Sequence, residues 1–268
     1  MPPDYVARPA NLLKSNIFNY ANYTNPDSSG ILEFLANELT ASEKKGQRVY
    51  IIGHVPSGYD SRNALKNPSA LFYSIVRRFA PTTIAGIFFR HTHEDQKLIY
   101  YDYAANSTLP NGLRNTTAVD YSKPLMVAYI GPSITPLTGL NAGYSRYAID
   151  AKTFSVVDSQ VYFANMSESL TWTTPKWQFE YDARAVYDPM GKWPKTAPMN
   201  ATFWDGVAQQ MASNFTLLAR YNLLETKSSV VTKNCTSEAC QRQKVCFIRS
   251  GSSALSAQNC GSGANGPF

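Results

Sequence analysis

Two hydrophobic periods alternate along the first hundred residues. Asp27-Ser28-Ser29-Gly30 supply candidate helix caps, after which Ile31, Leu32, Leu35 and Leu39 recur at helical spacing until Gly46 provides a stop. Val49 to Ile52 is a short apolar run that predicts a buried strand, closed by Gly53-His54-Val55-Pro56. Asn67-Pro68 predicts a helix start, and Leu71, Phe72, Ile75, Val76 and Phe79 form one apolar face before Pro81 breaks the pattern. Ile84 to Phe89 predicts a second buried strand, running into Arg90-His91-Thr92-His93. Strand, helix and strand in this order make a βαβ crossover that sets both strand ends on one sheet edge, where ligands gather in such sheets.

Lys97 to Tyr103, Leu125 to Ile130, Arg146 to Asp150 and Val156 to Ala164 read as further, antiparallel strands. The turn-rich stretches NSTLPNGLRNTT and TPLTGLNAGY interrupt them. From about Ser167 the texture changes to amphipathic helical runs broken by Pro175, Pro189, Pro194 and Pro198, the longest from Asn200 to Leu224. The last thirty residues turn Ser/Gly-rich, and residues 261–268 read as a disordered tail. The fold class is α/β, with one domain over residues 1–166 and a helical subdomain over 167–260. No internal repeat is visible.

Charged residues make up only 16% of the 268, well under the usual quarter, so other polar surface is needed. N-linked sugar is one supply, and seven Asn-x-Ser/Thr sequons fit it: Asn22, Asn106, Asn115, Asn165, Asn200, Asn214 and Asn234. All four cysteines, Cys235, Cys240, Cys246 and Cys260, lie in the last 34 residues. Their C-x4-C and C-x13-C gaps suit two local disulfides better than a zinc knuckle, because the paired C-x2-C spacing and a nearby histidine are both missing. Disulfides imply an oxidising compartment. Met1 to Asn16 holds no apolar run fit for a secretory leader. Either the protein is cytosolic and the disulfide reading fails, or the secretion signal lies upstream of Met1. The net charge of +6 is spread without a basic cluster, so no nucleic-acid site is read.

The three histidines, His54, His91 and His93, each fall just after a predicted strand of the crossover. A lone histidine is usually a packing residue, but all three converging on one edge point to a metal site, since neutral imidazole suits zinc, iron or manganese.

YIIGHVPSG (50–58) resembles the Gly-His-x-Pro-x-Gly segment of acid sphingomyelinases and their fungal relatives. IFFRHTHED (87–95) resembles the Gly-His-Thr-His motif that closes the calcineurin-like metallophosphoesterase site. NPDSSGILEFLANEL, LIYYDY, GPSITPLTGLNAGYSRYAID and the cysteine-rich tail extend the likeness over Asn16 to Cys260. The resemblance implies the C-terminal half of a metallophosphoesterase β-sandwich flanked by helices, ending in a disulfide-pinned helical subdomain. It implies two zinc ions, with His54 and His91 on one and His93 on the other. Such a pair grips phosphate oxygens and lowers the pKa of a bridging water. The implied reaction is phosphodiester hydrolysis, such as sphingomyelin to ceramide and phosphocholine. A phosphodiester or phospholipid is therefore the expected partner, with contact to a membrane surface, and the secreted space or a vacuolar or lysosomal lumen the expected location. Sequential pairing, Cys235 with Cys240 and Cys246 with Cys260, also follows.

The family's remaining ligands lie in Asp-x-His, Gly-Asp and Gly-Asn-His-Glu motifs, which this sequence lacks, and its proton-donating histidines belong to the same stretch. No catalytic residue is therefore assigned here, the chain is expected to be inactive by itself, and its sheet is expected to show an unpaired edge. Arg90 stands where the family has Gly; it repels cations, though its planar fork also matches phosphate. Glu94, Asp95 and Asp60 read as residues of solvated turns. Trp172, Trp177, Trp193 and Trp204 are candidates for membrane docking, with core packing the commoner role of such residues. The competing function is a non-catalytic secreted glycoprotein that binds through its C-terminal region.

Overall fold

The computed structural model describes residue 27 and residues 30–58, 66–105 and 118–260. Asp60, Asn22, Asn106, Asn115 and the tail over 261–268 lie outside the described residues. Helix α1 (Ile31–Lys44) is capped from three residues upstream of Gly30: Asp27 accepts the amides of Leu32 at 3.0 Å and Glu33 at 2.8 Å. Gly30 itself takes φ 68°, a left-handed angle natural to glycine. Strand β1 (Val49–Ile52) follows, then α2 (Lys66–Phe79), β2 (Ile84–Phe89), β3 (Gln96–Tyr103) and β4 (Val119–Ile130). These strands form one sheet in the order β1-β2-β4-β3. β1 runs parallel to β2, β2 parallel to β4, and β3 alone is antiparallel. The predicted crossover is present, and β1 is an edge strand whose Tyr50 and Ile52 side chains are 38% and 58% exposed.

A second, antiparallel sheet comprises β5 (Ala142–Ile149), β6 (Val156–Ala164) and β7 (Trp177–Asp182). β7 falls where the proline pattern predicts helix. Its run WQFEYD has the aromatic, alternating texture of a strand, and pairing with β6 decides the outcome. The two sheets face one another through Phe88, Tyr129 and Tyr147, with ring centroids 5.1 Å apart for Phe88–Tyr147 and 5.3 Å for Tyr129–Tyr147. Helices α3 (Ala183–Tyr187), α4 (Ala201–Met211) and α5 (Phe215–Glu225) add Tyr187, Trp204, Val207, Leu218 and Tyr221 to that core. The predicted helical run from Asn200 to Leu224 is thus two helices. Asn200 and Asn214 cap them, accepting from the amides of Phe203 and Leu217. Of the tryptophans, Trp204 is buried and Trp193 packs on Phe203, while Trp177 is 39% exposed.

The opposite face of the first sheet is covered by α1, α2 and a last helix, α7 (Ser253–Cys260), joined in a core of Leu32, Leu39, Phe72, Val76, Ile84 and Leu255. α6 (Glu238–Ile248) leads into α7. Cys235 pairs with Cys240 and Cys246 with Cys260, at Cα separations of 5.5 and 5.6 Å, as the resemblance implies. No described helix is long and apolar enough to cross a membrane.

The turn after α6 reaches the loop that carries His54. Ser57 donates its hydroxyl to the Gly251 carbonyl at 2.8 Å, and Ser256 donates to the Gly58 carbonyl. A Cβ on Gly58 would stand 2.1 Å from the Ser250 carbonyl oxygen, so the backbones meet there only because position 58 has no side chain. Gly58→Ala is expected to cost about 1–3 kcal/mol through overpacking, read as a lowered urea midpoint with unchanged slope.

Candidate metal centre

Pairing of β1 with β2 sets Ile52 opposite Phe88, so the two strands end together and deliver His54 and Arg90 side by side. The Arg90 amide donates to the His54 carbonyl at 2.8 Å. The chain then turns through His91 at φ 81° and His93 at φ 61°, two non-glycine residues in the left-handed region. Each such residue costs on the order of 1–2 kcal/mol and persists only where its surroundings hold it.

His54 Nε2 lies 3.3 Å from His91 Nδ1. Two nitrogens bound to one tetrahedral zinc at ordinary bond lengths stand about 3.4 Å apart, so this pair has the spacing of two ligands of a single ion. His93 directs Nδ1 to the Thr135 carbonyl at 3.0 Å. A carbonyl only accepts, so Nδ1 carries a proton, and in the neutral ring this leaves Nε2 as the nitrogen with the lone pair that a ligand needs. Each histidine therefore suits the ligand role taken singly. As a set they fall short: among the described residues no group of three or more His, Cys, Asp or Glu side chains gathers where an ion would sit. The donors present do not make up a two-zinc centre.

Beside His54 opens a cleft of about 400 Å³, lined by Tyr50, Ile52, Phe88, Arg90, Tyr147 and Ile149 among others. Arg90 is exposed, and its Nη1 donates to the Pro132 carbonyl at 2.8 Å. Its own φ is not left-handed, so a side chain is tolerated where the family has Gly; the left-handed angles fall on the histidines instead.

Glu94 and Asp95 are not in a solvated turn. They are 2% and 1% exposed, because the chain dives from His93 into β3 beneath the C-terminal helices. Asp95 pairs with Lys97 at 2.7 Å and accepts from the Tyr181 hydroxyl, while its amide donates to the Glu225 carbonyl at 2.8 Å. Burial pushes the Glu94 carboxyl up to about 7, against the charges of Lys244 and Lys227 and a hydrogen bond from Gln96. Burial likewise raises Glu180 to about 8, opposed by the Ser228 hydroxyl. Lys227, fully buried, is lowered to about 8 by burial, against Glu94, Asp95 and Glu180. Sequence reasoning missed this cluster entirely: a lone Lys in a Thr-Lys-Ser-Ser run carries no signal.

Sequence comparison supplies the class. No protein-family model matches the chain. It is 33% identical over 243 residues to a Caenorhabditis elegans protein named sphingomyelin phosphodiesterase 2, covering 89% of this chain and 35% of that protein. It is 33% identical over 227 residues to human sphingomyelin phosphodiesterase, covering 83% of this chain and 31% of the relative. Human acid sphingomyelinase-like phosphodiesterase 3b is 27% identical over 255 residues, or 89% of this chain and 50% of that one. The chain is thus a phosphodiesterase relative of mixed α/β fold with two disulfides near its C-terminal end. More narrowly, it is a homologue of the sphingomyelin phosphodiesterases and acid sphingomyelinase-like phosphodiesterases. It spans about a third of the length of these two sphingomyelin phosphodiesterases.

The cluster also sets a pH dependence. A carboxyl whose pKa is raised by folding contributes stability that is full below the unfolded value of 4.5 and lost as pH rises through about 8, as Glu180 does. Glu180→Gln cannot ionise and is expected to flatten this loss. Urea midpoints at pH 5 and pH 8 check it: the wild type falls more between the two than the variant.

Proposed function

We propose that this chain supplies the histidine half of a zinc-dependent phosphodiesterase acting on a phospholipid head group, sphingomyelin being the leading substrate. The observation that carries this reading is the 3.3 Å approach of His54 Nε2 and His91 Nδ1 at the ends of two parallel strands, in a homologue of sphingomyelin phosphodiesterases. His93, whose Nδ1 faces the Thr135 carbonyl and leaves Nε2 for an ion, is the third proposed ligand. Secretion or a vacuolar or lysosomal lumen, and glycosylation at the seven sequons, belong to the same proposal; the two disulfides favour it.

Alone, the chain does not hydrolyse phosphodiesters in this proposal. Imidazoles are neutral, so three of them leave the charge of two divalent cations uncompensated, and Arg90 adds to it. Zinc content and turnover of a chromogenic phosphodiester test this on the purified chain and on a version extended by the Asp-x-His, Gly-Asp and Gly-Asn-His-Glu motifs. The short chain is expected to bind less than one zinc and show no turnover. The extended chain is expected to bind two and lose activity on His93→Ala. Two tightly bound zinc ions and His93-dependent turnover in the short chain would overturn the reading.

Arg90 offers a separate check. Arg90 directly precedes His91 and lines one cleft with His54, so removing its positive charge in Arg90→Gly is expected to tighten zinc binding, measured by competition with a colorimetric chelator. The second reading is a non-catalytic secreted glycoprotein. The absence of a third ligating side chain at the His54–His91 pair, among the described residues, favours it. An extended chain that still binds no zinc would decide for it.

A further inference from the structure

We propose that Lys227, a residue of the C-terminal helical region, is a positioning residue that holds the His91-Thr92-His93 turn in shape by donating its ammonium to the main-chain carbonyl of His93. This deepens the proposed function, because it rests on His93 being a working residue of that site.

The case begins with where buried lysines put their charge. Lys97 places its ammonium on the Asp95 carboxylate, and Lys244 places its own on Glu225. Each neutralises an acid, the usual reason to bury a lysine. Lys227 forms no carboxylate pair of this kind among the described residues. Its Nζ goes to the carbonyl oxygen of His93, 134 positions away in sequence, although Glu94 and Glu180 are both near enough to shift its pKa. Charge balance alone gives no reason for that choice.

The turn has the complementary need. His91 and His93 both occupy left-handed backbone angles and lie between β2 and β3, outside the ladders that pair strand carbonyls. A buried carbonyl left without a donor costs about 1–3 kcal/mol, and an ammonium is a strong, rotatable donor. The stem that delivers it is itself fixed. Lys227 has φ 55°, its amide donates to the Leu224 carbonyl at 3.0 Å, and its carbonyl accepts from Asn141 at 2.8 Å. Gly143 leaves the channel for the stem: a Cβ there would stand 2.5 Å from the lysine Cδ. Next to it, the Asp95 amide is tied to the Glu225 carbonyl. The end of α5 thus grips the turn on its main chain at two points, while Thr135 holds the imidazole on the other side.

The chain has only three histidines, so two-bond nitrogen–proton imidazole spectra of the metal-free protein at pH 8 report each one. In the wild type His93 is expected as a single tautomer protonated at Nδ1. In Lys227→Met it is expected to move to averaged tautomer shifts, with His54 and His91 little changed. Gly143→Ala, which crowds the lysine stem without removing its charge, is expected to do the same. Lys244→Met, which alters the charge of the same cluster but leaves the His93 carbonyl alone, is expected to leave the His93 signals in place. If Lys227→Met does not fold, Gly143→Ala carries the decision. Unchanged His93 signals in a folded Lys227→Met or Gly143→Ala protein, or equal movement in Lys244→Met, overturn the proposal. Zinc added to the wild type reads the metal site separately: no response from any of the three histidines ends the metal reading and leaves the positioning result standing.

Discussion

Parallel pairing of β1 with β2 is the constraint on which the rest of the molecule depends. A parallel ladder aligns the ends of its strands, so whatever follows each strand arrives at the same edge. That alignment brings two histidines 37 residues apart to within 3.3 Å. The same pairing needs α2 to cross one face of the sheet, and α2 supplies the Phe72, Val76 and Phe79 side chains around which that core forms. β4 then pairs with β2 in the same direction and carries the chain to Pro132 and Thr135, whose carbonyls hold Arg90 and His93.

What was legible in the sequence was local. The apolar patterns of α1, β1, α2 and β2 are clean because α1 and α2 bury one face each and β2 is buried on both. The meeting of His54 and His91 could be read because each follows a predicted strand, and the disulfide pairs because the family resemblance implies them. What could not be read depends on distant partners. Glu94 and Asp95 look like a polar turn until Lys97, Lys227, Lys244 and Tyr181 converge on them. β7 looks like a proline-bounded amphipathic run until β6 offers it an edge. The segment after Cys235, rich in small polar residues, turns out to contain helices α6 and α7 because Ile248 and Leu255 find places in two separate cores.

The departure at position 90 shows how a family rule and a local conformation come apart. Glycine is needed where φ is positive or where two backbones touch. Here the touching backbones are at Gly58 and the positive angles at His91 and His93, so position 90 is free to carry a side chain. The Arg90 guanidinium uses that freedom to tie the β2 and β4 ends together by donating to the Pro132 carbonyl.

The clasp at Gly58 bears on the order in which the protein takes shape as it is made. The loop bearing His54 is seated by Gly251 and Ser256, which follow it by nearly two hundred residues. A chain emerging from the ribosome can pair β1 with β2 and pack α2 long before those residues exist. Until the last helix arrives, the loop has its sheet but lacks its outer wall. The His54 loop is therefore made before His91 and His93 yet is among the last of the three histidine positions to be fixed in place.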